Sequence, residues 1–214
     1  MGWCKARMIE LLARLAYRRT LPRSVDKEII ARLWDEAAGG IQELWGGDHS
    51  DYDTLRSVIG EHEVKSVLDV GCGSGRLFPL YEDMGLGDVV GVDISKEALR
   101  LASEEFPTVR TIRSSIEDIE FPAGRFDLAI SNSSLQHVPA HHIDEAVRLL
   151  TRSSRLVYVK ELTNSNPQPE EYFMRKHNYP KIFERHEKSI LKSGVEDGFT
   201  WYLFGIDEPI ELRD

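Results

Sequence analysis

Cysteine is scarce in this chain: Cys4 and Cys72 are the only two among 214 residues. One stands near the amino terminus and the other inside a run of glycines, a distribution that suggests neither a disulfide framework nor a thiolate metal cluster. No histidine has a partner that is read as a metal-ligand pair, so no metal is expected. Long apolar runs are missing too; none approaches the roughly 18 residues that a membrane span requires. The leading stretch MGWCKARMIELLARLAYRRT does not read as a signal peptide, because Arg14 breaks its apolar part and no small-residue cleavage site follows. The expected location is the cytoplasm. Positive charge is in deficit. The net charge is −9, and Lys5, Arg7, Arg14, Arg18, Arg19 and Arg23 face Glu10 alone near the amino terminus, which leaves the remainder strongly acidic. An acidic body disfavours binding that depends on neutralising phosphates, so nucleic acid is not the expected partner. The basic amino-terminal segment keeps a weak membrane-surface or partner contact open.

What is present is an ordinary globular composition, with enough chain for one good-sized domain. Met8, Leu11, Leu12, Leu15 and Ala16 recur at helical spacing between basic residues, an amphipathic helix expected to dock on the domain's own surface. A second helix is expected from about residue 25 to 38, stopping at Gly39-Gly40. The stretch IQELWGGDHSDYDTL, residues 41–55, reads as a loop or lid leading into a short helix. From Ser66 onward, short β-branched runs alternate with helical stretches. The runs are SVLDV (66–70), DVVGVDI (88–94), TVRTIR (108–113), FDLAISN (126–132) and RLVYVKEL (155–162), with helices near 75–84, 96–105 and 140–152. Doubly buried strands separated by helices imply an α/β fold with a parallel sheet and right-handed crossovers. SSIEDIEFPAGR is short for a crossover helix, and a single turn is expected there. After a loop-like TNSNPQPEEY come a helix near 179–186 and two strands, KSILKS and FTWYLFGI, joined as an antiparallel hairpin. No repeat or linker divides the chain; residues 1–60 are expected to form helices and a lid packed on the same domain as residues 61–214.

Glycine is dense at one place. Asp69-Val70-Gly71-Cys72-Gly73-Ser74-Gly75 lies between a strand and a helix. Ligands of open α/β sheets bind outside the carboxyl ends of strands. Glycine there permits positive φ and lets a ligand approach bare main chain. A dinucleotide fingerprint wants G-x-G-x-x-G, but the third glycine comes one position early and Arg76 stands in its place. A phosphate-cradling loop is absent as well, since no Gly-Lys-Ser/Thr follows. The second strand run ends at Asp93, an acid placed to accept hydrogen bonds from both ribose hydroxyls, with apolar Ile94 beside it to cover a flat base. A ribose acid without a pyrophosphate fingerprint points to a nucleoside lacking a diphosphate.

VLDVGCGSGRLFPL followed by VVGVDIS resembles the first two motifs of the class I S-adenosylmethionine-dependent methyltransferases. SSIEDIEF is similar to that family's adenine-contact segment, and FDLAISNSSLQHV to its fourth-strand motif. The resemblance spans about residues 64–162 closely and the final strands loosely. It implies a three-layer, Rossmann-like sheet of about seven mostly parallel strands with the last antiparallel, capped by amino-terminal helices. It also implies S-adenosylmethionine as cofactor, with S-adenosylhomocysteine as product. By the same resemblance, Asp69, Gly71, Cys72 and Gly73 surround the methionine part, and Gly75 eases the helix start. Asp93 binds the ribose, Ile94 packs on adenine, Ser115 and Ile116 flank the adenine edge, and Asn132 lies beneath the sulfonium. The family often has an acid where Ser115 stands; the serine hydroxyl or Glu117 takes that hydrogen bond here.

Methyl transfer from a sulfonium needs alignment more than it needs a metal or a covalent intermediate. A base is needed only where the acceptor keeps its proton until attack. His137, after the fourth strand, is the candidate base, with packing as its competing role. His141 and His142 are expected to face solvent, and His177 and His186 to belong to a variable carboxyl-terminal insertion. Trp45, His49 and Tyr52 in the lid, and Tyr172 on the opposite side, are candidate acceptor contacts, while Trp34 is expected to be structural. The expected function is transfer of a methyl group to an oxygen or nitrogen of a small-molecule acceptor. The competing readings are an RNA or protein methyltransferase and a noncatalytic nucleoside-binding scaffold.

Overall fold

The computed structural model of the protein describes residues 27–47, 49–163, 174–196 and 198–206. The expected amino-terminal amphipathic helix lies outside these residues. The chain divides into two compact units, with the boundary between Ile119 and Glu120.

The first unit opens with α1 (Lys27–Trp45). This helix runs straight through Gly39-Gly40, where a stop was expected. Each internal glycine costs a helix about 1 kcal/mol relative to alanine, but packing overrides that cost. Ala31, Ala37 and Ala38 are buried, and the helix is anchored twice on α4 (Lys96–Glu105). The Asp35 carboxylate accepts from the Ser95 hydroxyl at 2.7 Å and the Glu97 N–H at 3.0 Å, and Gln42 donates to Glu105 at 3.0 Å. The helix stops at Gly46 instead, whose N–H donates to the Gln42 carbonyl and where a Cβ would stand 2.6 Å from that oxygen. The expected loop of residues 41–55 is correspondingly short, because α2 (Tyr52–Glu61) begins within it and buries Leu55, Val58 and Ile59.

Strand β1 (Ser66–Val70) leads into the glycine loop and α3 (Phe78–Asp83), followed by β2 (Asp88–Asp93), α4 and β3 (Arg110–Arg113). The helix expected from 75 starts only at Phe78, since the turn before it contains three glycines at positive φ. Strands β1 and β2 pair in parallel with Leu68 opposite Val90, and β2 and β3 in parallel with Asp93 opposite Arg113. Ser95 caps α4 by accepting from the Ala98 N–H at 3.0 Å. A single 3-10 turn, Ile116–Asp118, follows β3, as the short connection predicted.

The second unit holds β4 (Phe126–Asn132), a 3-10 turn (Leu135–His137), α5 (Ile143–Ser153), β5 (Ser154–Glu161), α6 (Tyr179–Glu184), β6 (Ser189–Glu196) and β7 (Phe199–Gly205). Strands β4 and β5 are parallel; β7 runs antiparallel to both β5 and β6, the hairpin ending read from the sequence. Asn178 caps α6 by accepting from the Lys181 N–H, and Phe183 of that helix stacks on Phe204 of β7 with ring centroids 3.9 Å apart. The seven strands form one mixed sheet in the order β3-β2-β1-β4-β5-β7-β6, the Rossmann-like arrangement that the resemblance implies. Among the described residues, no helix is long and apolar enough to cross a membrane.

Candidate functional site

The loop after β1 is fastened to the end of β2. The N–H groups of Gly71 and Cys72 both donate to the Val92 carbonyl, at 2.7 and 3.1 Å. Gly71, Gly73 and Gly75 have φ of 69°, 57° and 89°, a region that other residues enter only with strain. Two of these glycines differ in what surrounds them. A Cβ at Gly75 would lie 2.7 Å from Phe78, so that glycine makes room for packing. A Cβ at Gly73 would meet nothing within 4 Å. Bare main chain at Gly73 thus borders open space.

Asp93 stands beside it. One carboxylate oxygen accepts from the Gly73 N–H at 2.9 Å and the other from the Ser95 N–H at 2.8 Å. Burial raises this carboxyl above its ordinary value, and those N–H groups pull it back. Asp69 is 2 % exposed and accepts from the Tyr81 hydroxyl at 3.1 Å; burial pushes its carboxyl up to about 7. The Arg76 charge opposes that rise, and the smaller effects of the Asp93 and Asp51 charges add to it. Cys72 is buried with its thiol 3.7 Å from the Gly73 carbonyl, and burial pushes the thiol well above its ordinary value. It is therefore no nucleophile.

The β2–β3 pairing brings the expected base-contact residues to the same place. The Ser114 N–H donates to the Asp93 carbonyl, and Arg113 donates to the Ile94 carbonyl. Ile94, Ser115 and Ile116 are partly exposed. The Ser115 hydroxyl donates to the Glu117 carboxylate. Lys27, from α1, lies 3.7 Å from Glu117 and 2.5 Å from Asp118.

The lid residues reach the far end of the glycine loop. Asp51, 1 % exposed, receives two hydrogen bonds of 2.9 Å from the Arg76 guanidinium, and the Tyr52 hydroxyl donates to the Arg76 carbonyl at 2.7 Å. His49 is exposed and its ring lies 4.4 Å from that of Tyr52. Trp45 closes α1, but its side chain lies outside the described residues, as does Tyr172. The Asp51–Arg76 pair was not foreseen as a unit. Its only signal was an arginine where a third fingerprint glycine would stand.

In the second unit, Asn132 ends β4 opposite Lys160, and Ser133 takes a φ of 60°. His137 is partly exposed at the end of the 3-10 turn. Its ring nitrogen lies 3.5 Å from the Gln136 amide, and its carbonyl accepts from Arg175 at 3.4 Å. His177 is buried with Nε2 3.0 Å from the Val138 carbonyl, a structural contact. Glu161, at the end of β5, was missed by sequence reasoning. It is wholly buried and accepts from the Ser131 hydroxyl at 2.7 Å and from the N–H groups of Ser134, Leu135 and Gln136 at 2.9, 2.8 and 3.2 Å. The one local signal was an acid closing an apolar strand run. Among the described residues, no cluster of three or more His, Cys, Asp or Glu is placed to hold a metal ion.

Residues 68–158 match the family described as a methyltransferase domain. The chain is 30% identical over 131 residues to malonyl-[acyl-carrier protein] O-methyltransferase of Pseudescherichia vulneris, covering 61% of this chain and 51% of that one. It is 32% identical over 157 residues to ubiquinone biosynthesis O-methyltransferase of Psychrobacter arcticus, covering 64% and 59%. The chain thus spans about half the length of the curated relatives it matches. Its fold is similar to that of magnesium protoporphyrin IX methyltransferase from Synechocystis PCC 6803, solved with bound SAH, with a TM-score of 0.65 at 19% identity over 84% of this chain and 98% of that one. Residues 68–158 thus carry a methyltransferase domain, and the strand order is that of the Rossmann-like fold seen in solved methyltransferases.

Proposed function

We propose that this chain transfers a methyl group from S-adenosylmethionine to an oxygen or nitrogen of a small-molecule acceptor, in the cytoplasm. The observation that carries the reading is the open main chain at Gly73, held by the same carboxylate that would take the ribose. The Asp93 carboxylate accepts from the Gly73, Ser95 and Ile94 N–H groups and keeps lone-pair capacity for a ribose hydroxyl. The residues therefore fit the cofactor.

Gly71, Cys72 and Gly73 would hold its methionine part through main chain, and Ile94 would cover one face of adenine. Ser115 directs its hydroxyl hydrogen to Glu117, which leaves its oxygen lone pairs to accept from the adenine amino group. Ile116 would flank the same edge. When bound, the cofactor would supply a methyl group on a positively charged sulfur, for transfer to a nucleophile as the carbon–sulfur bond breaks and the neutral thioether leaves. The protein's own share is alignment and the exclusion of water. We assign Asn132 and His137 to the second unit's part in this, with His137 as general base where the acceptor keeps its proton until attack. His49, Tyr52, Trp45 and Tyr172 are the proposed acceptor contacts, and residues 1–60 the cover of the domain. Both curated relatives are named as O-methyltransferases, which favours oxygen over nitrogen.

The test is calorimetric titration of the chain with S-adenosylmethionine, S-adenosylhomocysteine and NAD in parallel. Binding of both sulfur nucleosides without NAD is expected. Binding of NAD alone, or of none of the three, overturns the reading and moves the scaffold alternative to the front.

A further inference from the structure

We infer that Glu161 is a positioning residue, whose carboxylate, by accepting three successive main-chain N–H groups, holds the turn that presents His137 and locks it only while ionised. The inference rests on the reading of His137 as an acceptor-side group.

The geometry is specific. One Glu161 oxygen takes the Ser131 hydroxyl and the N–H groups of Ser134 and Leu135; the other takes the N–H of Gln136. These donors belong to the end of β4 and the turn Leu135–His137, and His137 follows the last of them directly. A buried carboxylate is expensive, and neutral packing of the same volume is generally the cheaper solution. Here the charge is offset by donors drawn almost wholly from one turn, so the turn is where its interaction energy resides. The turn has further ties. Gln136 accepts at its side-chain oxygen from the Leu162 N–H at 3.1 Å, and its carbonyl accepts from the Arg175 N–H at 2.8 Å. Neither involves a charged acceptor, so the carboxylate is the strongest single restraint.

The groups that face Glu161 decide whether its charge changes alone. From α6, the buried Tyr179 phenol is raised by burial and by the Glu161 charge, so it stays neutral. From β7, Thr200 stands opposite in register and cannot titrate. Lys160 precedes Glu161 on the other face of the strand and is paired with Glu196 at 2.8 Å. Beyond the turn, His177 is engaged with the Val138 carbonyl and Arg175 with that of His137. Burial pushes the Glu161 carboxyl up to about 7 against its hydrogen bonds, which puts its proton uptake near neutrality. Once protonated, one oxygen turns from acceptor to donor towards N–H groups that are donors themselves, and opening the turn no longer strands a charge.

The experiment is amide hydrogen exchange of the full chain, residue by residue, from pH 5.5 to 8.5, corrected for intrinsic exchange, on wild type and Glu161→Gln. In wild type, protection at Leu135 and Gln136 should fall by about ten-fold or more as the pH drops through about 7, the scale of one lost charge-assisted hydrogen bond. In Glu161→Gln it should be low and independent of pH, with the His137 ring resonances displaced and the affinity for S-adenosylmethionine within about two-fold of wild type. Protection that is flat with pH in wild type, or equal in the two proteins, overturns the inference. If Glu161→Gln does not fold, the wild-type pH profile alone decides. Failure of the wild-type chain to bind S-adenosylmethionine would count against the methyltransferase reading, while the exchange profile still judges the role of Glu161.

Discussion

Arg76 and Asp51 meet through two parallel hydrogen bonds of 2.9 Å, one to each carboxylate oxygen, with the acid 1 % exposed and the arginine 22 %. The pair joins the first residue after the glycine loop to the residue before α2, and Tyr52 fastens the same joint through the Arg76 carbonyl. Removing one partner leaves the other charge in a mostly dry place. Asp51→Ala is expected to lower stability by about 2–4 kcal/mol, measured by urea denaturation. It should also weaken S-adenosylmethionine binding, because the loop loses its preorganisation. Unchanged cofactor affinity in a destabilised protein would confine the pair to a structural role.

Asp93→Ala is expected to abolish measurable S-adenosylmethionine binding in calorimetry. Because the carboxylate also accepts from Gly73 and Ser95, the variant should lose about 1–3 kcal/mol of stability yet remain folded. Retained cofactor affinity would remove Asp93 from the ribose contact.

The glycines allow a paired comparison. Gly73→Ala meets no neighbour within 4 Å, so only its backbone region is penalised, by about 1–2 kcal/mol. Gly75→Ala carries the same penalty and drives a methyl group to 2.7 Å from Phe78, so it should be the more destabilising by thermal denaturation. Cofactor affinity should fall in Gly73→Ala, since the methyl group fills the space over the loop. Equal affinity in Gly73→Ala and wild type would show that nothing binds against that main chain.

Two buried carboxyls give stability a pH dependence of definite sign. Asp69 and Glu161 are both carried up to about 7 by burial, above the ordinary carboxylate value. Between about pH 4 and 7 the folded chain therefore keeps protons that the unfolded chain releases. Their contribution is fully present at the acid end of this window and is lost as the pH rises, at up to about 1.4 kcal/mol per pH unit for each group. Asp35 works the other way below the window: although burial opposes it, the Glu97 N–H and Ser95 hydroxyl hold its carboxyl below the ordinary value. Urea midpoints should be higher at pH 5 than at pH 8, and Asp69→Asn should reduce the difference. A midpoint that rises from pH 5 to pH 8 would contradict this.

The strands were the most legible part of the chain. SVLDV, DVVGVD and FDLAISN fold as read, because a strand buried on both faces writes itself as an unbroken apolar run. The hairpin ending was legible from its glycine-bearing break. The stop of α1 was not. Gly39-Gly40 carries a local termination signal that the packing of Ala37, Ala38 and Asp35 overrides, and no local rule weighs a contact with residues 60 positions away. Asp51 with Arg76, and Glu161 with the turn before α5, were invisible for the same reason. Each is a contact between residues some 25 positions apart, formed only once the sheet exists.

The two ends of the proposed nucleoside site are held by different forces. The glycine end is tied by uncharged main-chain donors, to the Val92 carbonyl and the Asp93 carboxylate. The base end is tied to α1 by Lys27, 40 % exposed, against Glu117 and Asp118. The screening length falls from about 10 Å at 0.1 M salt to about 3 Å at 1 M, so concentrated salt weakens such an exposed lysine contact and leaves the buried amide contacts almost untouched. Ionic strength is thus a dial on one end alone: brine loosens the tie between α1 and the turn after β3 and spares the amide ties of the glycine loop.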